Sequence, residues 1–234
     1  TEKCKTPVFH AVSTFDILNE MFIRSKFHFG TADERELAGK MIDAVAQDVY
    51  YKDEPQIWIF DRGFPSLSLI QKLLEHRLYF VMRVSSSFLK EVNAFRKSKY
   101  VDRVIHIEYS ERRATQNHVH SDGISQFDLR CVRVKLPSGE DEILVTNLDR
   151  KEFPKRDIKE IYRLRWGIET GFNYLKNAVF VEEFVSKTEN GLAQDYFVSL
   201  LVYNFATCIC GSMYPNIPKK ENTSTRSIEE LPPD

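Results

Sequence analysis

The sequence is poor in cysteine and in net charge, and each shortage excludes a class of protein. Four cysteines occur in 234 residues at irregular spacing (Cys4, Cys131, Cys208 and Cys210). This usage is typical of reduced thiols and not of a disulfide framework. Cys208 and Cys210 have no second ligand pair at zinc spacing, so no zinc site is expected. Because 33 basic residues nearly balance 34 acidic ones, any nucleic-acid site must be a local patch.

Long apolar runs are also missing. The longest, Phe197 to Ile209, is interrupted by polar residues and is too short to cross a bilayer. It predicts a buried helix that ends at Gly211. The first ten residues contain neither an initiating methionine nor the apolar core of a signal peptide, so we expect a fragment of a soluble globular protein with no membrane contact.

The first third of the chain alternates strand and helix patterns. "VFHAVSTFDIL" and "MFIRSKFHF" predict a hairpin that turns at Asn19-Glu20. A helix over "ADERELAGKMIDAVAQDVY" follows, with Val49 on its apolar face. The strand "QIWIFDRGF" stops at Asp61, a helix begins with Pro65 in its first turn, and "YFVMRVS" is the next strand. This order predicts an α/β fold with a mostly parallel or mixed sheet.

The rest of the chain changes character twice. Residues 88–150 contain the strand patterns "RVIHIEY", "FDLRCVRVKL" and "EILVTNL", a turn at Pro137-Ser138-Gly139 and no strong helix pattern. One helix is predicted from Pro154 to about Ala178 and another over "NGLAQDYFVSLLVYNFATCIC". We therefore expect a core in two parts, residues 1–87 and 151–214, a β-rich insertion at 88–150 and a polar tail at 215–234.

The segment "IYRLRWGIETGFNYLK" carries charges in one register. On a continuous helix, an apolar stripe forms from Ile161, Leu164, Ile168, Phe172, Leu175 and Val179. Tyr162, Arg165, Glu169 and Lys176 then share a narrow band along its edge. A carboxylate flanked there by cations and a phenol suits a metal and an anionic substrate. The alternative is an ordinary surface ion pair between Arg165 and Glu169.

A second carboxylate supports the functional interpretation. Asp61 follows an apolar strand, and ligand sites in open α/β sheets favour the carboxyl ends of strands. The alternative is an aspartate that caps a helix or stabilises a turn. Together, Asp61 and Glu169 offer the hard oxygen ligands with which a two-metal site holds Mg²⁺ or Mn²⁺ against a phosphate.

These residues resemble a known family. Tyr162-x2-Arg165-x3-Glu169-x6-Lys176 matches the Y-R-E-K signature of one branch of bacterial insertion-sequence transposases, the DDE class with a ribonuclease H-like core. "IFDRGFPS", "FVMRV", "LVTNL" and "EEFVSKTENGLAQDYFVSLLVYN" are similar to other family segments. The resemblance extends from about Val8 to about Cys210. It implies a ribonuclease H-like mixed sheet, flanked by helices and interrupted by the β-rich insertion.

The resemblance also implies a chemistry. Asp61 and Glu169 would be two of three acidic ligands of Mg²⁺ or Mn²⁺. Phosphate contacts near the cleaved end would come from Tyr162, Arg165 and Lys176, assisted by Trp166 and Arg83. Metal-activated water would cut a DNA strand, and the freed 3′-hydroxyl would attack another phosphodiester, often through a hairpin intermediate. The implied partners are the inverted-repeat ends, target DNA and a second copy of the protein, in the bacterial cytoplasm at the nucleoid.

One departure from the family is serious. The family's first aspartate lies on a strand that precedes "VFHAVSTFDIL", and this chain begins too late to include it. Asp16 is a possible substitute, but it matches an ordinary aspartate on the family's second strand, so we treat it as non-catalytic. A site without one ligand should bind the second metal poorly. We therefore expect an inactive fragment that also lacks the family's N-terminal DNA-binding region.

The remaining expectations concern two clusters of basic residues and two histidines. One basic cluster contains Arg150, Lys151, Lys155, Arg156, Lys159, Arg163 and Arg165, and "FRKSKYVDR" forms another; both fit a DNA surface or a solvated face. His118 and His120 near Asp122 are not expected to bind metal. Three alternatives stay open: a nuclease of the same fold without strand transfer, a non-catalytic remnant that binds element ends and regulates an intact transposase, and a protein-interaction domain.

Overall fold

The computed structural model describes residues 9–30, 32–108, 110, 112, 115, 126–135, 139–178, 186 and 188–213. Among them, no helix combines the length and the apolar content needed to span a bilayer. Seven strands and six helices occur in these residues. In chain order they are β1 (Phe9–Asp16), β2 (Met21–Phe29), α1 (Glu34–Ala46), β3 (Ile57–Phe60), α2 (Leu67–Glu75), β4 (Tyr79–Arg83), α3 (Lys90–Lys97), β5 (Asp102–Glu108), β6 (Gln126–Lys135), β7 (Asp141–Thr146), α4 (Lys155–Arg163), α5 (Trp166–Ala178) and α6 (Glu189–Met213).

The chain divides into two compact units. Described residues up to Leu37 and from Trp166 onward form the first unit, and residues 38–165 form the second. The boundary between Arg165 and Trp166 falls inside the segment that carries the four-residue signature. Each unit has its own apolar core.

The first unit is built on the antiparallel hairpin of β1 and β2. Aromatic residues of the hairpin, such as Phe22, pack with Leu175 of α5 and Leu200 of α6. The Tyr196 hydroxyl lies 2.9 Å from the Ser13 Oγ, and the Asn204 side chain bonds both backbone groups of Phe22, at 2.9 and 2.8 Å. Apolar burial and these polar contacts together fix α6 on the hairpin.

The second unit contains a mixed five-stranded sheet in the order β3-β4-β7-β6-β5. Strands β3 and β4 are parallel, and the other neighbours are antiparallel, which confirms the predicted mixed sheet. Because side chains alternate along a strand, Phe80 and Met82 pack with α1, α2 and α3, whereas Val81 packs with α4. Both faces of the sheet are therefore covered by helices.

The hairpin turn and all seven strand patterns are confirmed, but several helices differ from their predictions. The helix α1 ends at Ala46, so Val49 lies beyond it and is exposed. Pro65 precedes the cap of α2, because the Ser66 Oγ accepts from the Leu69 N–H at 3.2 Å. The helix α3 was not predicted, since only Val92 and Phe95 of its eight residues are buried.

The single helix predicted from Pro154 to about Ala178 is wrong, because α4 and α5 are separate. The amides of Leu164 and Arg165 bond to carbonyls three residues back, those of Ile161 and Tyr162, both at 3.1 Å. This tightened turn ends α4. A helical wheel at a constant angle is therefore not valid across the signature, although the apolar periodicity conceals the break.

The second predicted helix, over the longest apolar run, is only partly correct. The helix α6 continues to Met213 instead of ending at Gly211. The expectation that it is buried is wrong for one face, because Phe197, Leu201 and Phe205 are exposed. Of the predicted turn at 137–139, only Gly139 is described, and its φ of 88° suits glycine. The tail at 215–234 lies outside the described residues.

Candidate active site

The parallel strands β3 and β4 end side by side and bring two charged residues together. Phe60 pairs with Met82, so the next residues along the two strands, Asp61 and Arg83, lie next to each other. The Arg83 Nε lies 2.9 Å from the Asp61 Oδ1. This contact is an ion pair without the alignment of a hydrogen bond. Arg83 Nη1 donates to the Glu142 Oε1 on β7 at 2.7 Å, so the guanidinium bridges two carboxylates.

The end of α4 supplies two more partners of Asp61. The Tyr162 hydroxyl donates to the Asp61 Oδ1 at 3.2 Å, across 101 residues of sequence. Arg165 Nη1 lies 3.5 Å from the Oδ2, and its guanidinium carbon lies 5.9 Å from the centre of the Tyr162 ring. The Arg62 backbone N–H donates to the Oδ1 at 2.6 Å. We call Asp61, Arg83, Tyr162 and Arg165 the Asp61 cluster.

The surroundings of these groups set their charges. Burial opposes ionisation of Asp61, but the Arg62 amide, Arg165, Arg83 and the Tyr162 hydroxyl outweigh it and lower its pKa. Burial, together with the Asp61 charge, raises the pKa of Tyr162. At neutral pH the cluster therefore presents a carboxylate, a phenol that keeps its proton and two guanidinium groups. Such a set can bind anions or share a cation.

Asp61 has the chemistry of a metal ligand but does not form a complete site by itself. Its side chain is 38% exposed, and its Oδ2 is held by a contact of 3.5 Å to Arg165. An ionised oxygen of this kind suits Mg²⁺ or Mn²⁺. Within the described ranges, no group of three His, Cys, Asp or Glu side chains is arranged to hold a metal. Asp61 therefore fits a divalent ion as one ligand among others.

The other residues singled out from the sequence belong to the first unit or lie outside the described residues. Trp166, Glu169 and Lys176 belong to α5 in the first unit. Trp166 and Lys176 are exposed, and Glu169 is half-buried. The structure thus brings together four of the seven predicted site residues within one unit. His118, His120 and Asp122 lie outside the described residues.

Asp16 has a local structural role. Its Oδ1 accepts from the backbone N–H groups of Leu18 at 3.0 Å and Asn19 at 3.1 Å. The Asn19 side chain donates to its Oδ2 at 2.7 Å. These are the contacts of an aspartate that stabilises a turn.

The basic clusters are partly neutralised by nearby acids. Arg163 pairs with Glu160 at 2.6 Å, and Arg156 contacts Asp157 at 3.2 Å. In the other cluster, the Arg103 guanidinium carbon lies 4.6 Å from the centre of the exposed Tyr100 ring. This second surface combines a cation with an exposed aromatic face, which suits stacking on nucleic acid better than isolated charges do.

Sequence reasoning missed Glu142. The pairing of β4 with β7, in which Arg83 lies opposite Leu144, brings Glu142 to the same end of the sheet. Its carboxylate contacts the Arg83 Nη1, whereas Asp61 contacts the Nε of the same guanidinium. No local spacing signals this contact, because it depends on the register of two strands far apart in sequence.

Comparison with known proteins gives a consistent result. The family model of the transposase DDE domain matches residues 1–205. "Putative transposase y4zB" of Sinorhizobium fredii (strain NBRC 101917 / NGR234) is 26% identical over 149 residues, which are 62% of this chain and 40% of that protein. "Putative transposase for insertion sequence element IS4SA" of Synechocystis sp. (strain ATCC 27184 / PCC 6803 / Kazusa) is 24% identical over 182 residues, 75% of this chain and 46% of that protein.

A third relative agrees with these two. "Probable transposase for insertion sequence element IS5377" of Geobacillus stearothermophilus is 22% identical over 180 residues, 74% of this chain and 43% of that protein. The chain thus spans less than half the length of these curated relatives. The family match covers most of the chain, and the mixed sheet flanked by helices fits a ribonuclease H-like transposase. This chain belongs to the transposase DDE domain family of insertion sequences.

Proposed function

We propose that this chain is the catalytic portion of an insertion-sequence transposase of the Y-R-E-K branch. It would serve metal-dependent strand cleavage and strand transfer at the ends of the element. The observation that carries the proposal is the Asp61 cluster, in which a carboxylate at a strand end meets two guanidinium groups and a phenol. In this proposal residues 1–87 and 151–214 form the ribonuclease H-like core, residues 88–150 its insertion and residues 215–234 a tail.

Asp61 and Glu169 would be two of the acidic metal ligands. The lowered pKa of Asp61 supports this role, because the carboxylate stays ionised at neutral pH and its side chain is 38% exposed. A bound Mg²⁺ or Mn²⁺ would supply an activated water and would stabilise negative charge on the phosphate. The spacing of Glu169 from Tyr162 and Arg165 supports its role by resemblance to the family signature.

The other cluster members would bind phosphate. The Arg165 Nη1 lies 3.5 Å from the Asp61 Oδ2, so its guanidinium would bind a phosphate oxygen beside that carboxylate. Tyr162 keeps its proton and donates a hydrogen bond. Arg83 is held by Glu142 and would stay in place while its neighbours rearrange. Lys176 and Trp166 would add contacts to the DNA end.

Cleavage by the complete protein tests the metal role. We expect Glu169→Gln to abolish Mg²⁺-dependent cleavage of DNA carrying the element's end. The matched control is Glu160→Gln, which changes a carboxylate of α4 that pairs with Arg163. Intact cleavage by Glu169→Gln would contradict the assignment. Transfer products on a supercoiled target would distinguish a transposase from a nuclease of the same fold.

Binding of DNA ends tests the phosphate contacts separately. We expect Arg165→Ala and Lys176→Ala to weaken binding of the element's end by roughly tenfold, without loss of the folded state by circular dichroism. Arg163→Ala is the control, because it removes an arginine two residues from Arg165 that is paired with Glu160. Unchanged end binding in both variants would favour the alternative that Arg165 only forms a surface ion pair.

We also propose that this chain is part of a longer transposase whose first catalytic aspartate lies on a strand paired with β3. The strand β3 lies at one end of the described sheet order, yet all four of its residues are apolar. This composition is typical of an interior strand, since open edges usually carry charges.

The DNA sequence upstream of the Thr1 codon tests whether the gene encodes this further strand. An open frame that encodes an apolar strand ending in aspartate would support it. A stop codon or frameshift would favour the alternative function, a non-catalytic remnant that binds element ends.

A further inference from the structure

Glu142 is an acidic residue beside cations that would bind phosphate. Its side chain is 16% exposed, and its Oε1 accepts a hydrogen bond of 2.7 Å from the Arg83 Nη1. A carboxylate near a DNA-binding surface repels the phosphates. By its charge alone, Glu142 would therefore weaken the binding of a DNA end.

The geometry around Arg83 gives Glu142 the opposite effect. The Arg83 Nε lies 2.9 Å from the Asp61 Oδ1, but this contact lacks the alignment of a hydrogen bond. The contact of Nη1 with Glu142 is aligned. Because a guanidinium is planar, contacts at two of its nitrogen atoms fix both its position and its plane. Within the part of the chain that the structure describes, the Arg83 Nη2 has no hydrogen-bond partner, so a phosphate can bind there without loss of the Glu142 contact.

The Asp61 contact alone would not hold Arg83 in a working site. If Asp61 ligates a divalent cation, that cation repels the Arg83 guanidinium and competes for the same carboxylate. Glu142 lies on β7 and has no part in the proposed metal site, so its contact with Arg83 persists.

Arg96 is the other guanidinium on whose charge Glu142 acts. Its Nη2 donates to two backbone carbonyls directly after β4, at 3.3 and 3.5 Å. Arg96 is thus held by the backbone, and the aligned hydrogen bond of Glu142 goes to Arg83.

We propose that Glu142 is a positioning residue, which holds the Arg83 guanidinium in place for a phosphate of the DNA end. The inference rests on the proposed function, since that function gives Arg83 its phosphate contact. It adds that an acidic residue strengthens the binding of the DNA end. Direct repulsion and positioning therefore predict opposite effects for removal of the Glu142 carboxylate.

Binding of a pre-cleaved element end to the complete transposase tests this role. The probe is a labelled duplex whose 3′ end is a dideoxynucleotide, so Mg²⁺ can be present without strand transfer. We expect Arg83→Gln to raise the dissociation constant by roughly tenfold and Glu142→Ala by roughly fivefold. Glu142→Gln, which keeps an acceptor oxygen, should have a smaller effect in the same direction. Tighter binding by both Glu142 variants would overturn the proposal.

A double-mutant cycle shows whether Glu142 acts through Arg83. In an Arg83→Gln background, we expect Glu142→Ala to leave the dissociation constant unchanged or to lower it, because only the repulsion of phosphate remains. An equal loss of affinity in both backgrounds would contradict a role through Arg83.

The salt dependence of binding provides a readout that a partial loss of folded protein would not change. We expect the slope of log Kd against log salt concentration to fall by about one phosphate contact in Glu142→Ala, as in Arg83→Gln, although Glu142→Ala makes the protein more positive. An unchanged or steeper slope in Glu142→Ala would overturn the proposal.

Asp141→Asn is the matched control, since it neutralises the neighbouring carboxylate of β7, which pairs with Arg133. It should bind the DNA end as wild type does. Equal weakening by Asp141→Asn and Glu142→Ala would assign the effect to a disturbance of β7 and overturn the proposal.

Failure of the inference is distinguishable from failure of the proposed function. If Arg83→Gln weakens binding but Glu142→Ala does not, the inference fails and the proposed function stands. If Arg83→Gln and Arg165→Ala both bind the DNA end as wild type does, the proposed phosphate contacts fail as well.

Discussion

Two aspartates at strand ends have different environments: Asp16 is the last residue of β1, and Asp61 directly follows β3. Every described partner of the Asp16 carboxylate lies within three residues of it. The Asp61 carboxylate contacts Arg83, Tyr162 and Arg165, which come from β4 and from the end of α4. The comparison shows that position at a strand end does not by itself bring cations to a carboxylate. Contacts with residues from distant elements do.

A third aspartate sharpens this comparison and should show the largest effect. Asp102 pairs with Arg130 through two contacts of 3.0 and 2.8 Å, and both side chains are at most 5% exposed. Asp102→Asn would leave Arg130 buried without a counter-charge, at a cost of about 3 to 5 kcal/mol in the free energy of unfolding. Urea denaturation measures this cost.

The control for Asp102 is Asp141→Asn. Asp141 pairs with Arg133 at 3.0 Å but is 35% exposed, so its loss should cost less than about 1 kcal/mol. If both substitutions lowered the free energy of unfolding by the same amount, burial would not determine how strongly these ion pairs stabilise the fold.

Removing the Asp16 carboxylate should have an intermediate effect on stability. Asp16→Ala loses the two hydrogen bonds from the Leu18 and Asn19 amides and should lower the free energy of unfolding by about 1 kcal/mol. Asp16→Asn keeps an acceptor oxygen and should cost less. An equal loss in Asp16→Asn and Asp16→Ala would show that the carboxylate charge, and not its turn geometry, is important.

Ionised Asp61 should stabilise the fold by a smaller amount than Asp16, and this stabilisation should be lost in acid. Because its folded pKa is lowered from 3.8, ionised Asp61 stabilises the fold above that ordinary value, and the stabilisation is lost as pH falls through the lowered pKa. At 38% exposure, solvent screening limits it to less than about 1 kcal/mol. We expect the stability difference between wild type and Asp61→Asn, measured by urea denaturation, to shrink in acid. A difference that grows in acid would contradict the sign of the shift.

The smallest effect is expected for Tyr162→Phe. The substitution removes one hydrogen bond of 3.2 Å to Asp61 but keeps the ring beside Arg165. We expect a loss of about 0.5 kcal/mol in the free energy of unfolding. Tyr79→Phe, another partly buried tyrosine of the same unit, provides the control. A loss of stability greater than that of Asp16→Ala would mean that the Tyr162 hydroxyl contributes more than its hydrogen bond to the carboxylate.

Much of the fold was predictable because its signals are local. The alternating hairpin strands, the apolar strand before Asp61 and the β-rich patterns from 102 to 146 all appear as expected. The break between α4 and α5 was not predictable, since a tightened turn keeps Leu164 and Ile168 in an apolar pattern. The helix α3 was missed because it buries only two side chains.

The candidate site was predictable only in part. Asp61, Tyr162 and Arg165 carry signals in strand position and spacing, and these three do meet. Glu142 carries none, because strand register brings it to Arg83. Likewise, apolar content predicts that α6 packs against something, but not which of its two faces lies against the hairpin.

Cleavage by two matched variants of the complete transposase tests the central claim most directly. Mg²⁺-dependent cutting of DNA that carries the element's end is measured for Asp61→Asn and Asp16→Asn. If the Asp61 cluster belongs to the catalytic centre, Asp61→Asn reduces cutting to the background without enzyme, and Asp16→Asn cuts at the wild-type rate. Equal cutting by the two variants, or loss of activity in Asp16→Asn alone, would contradict the account.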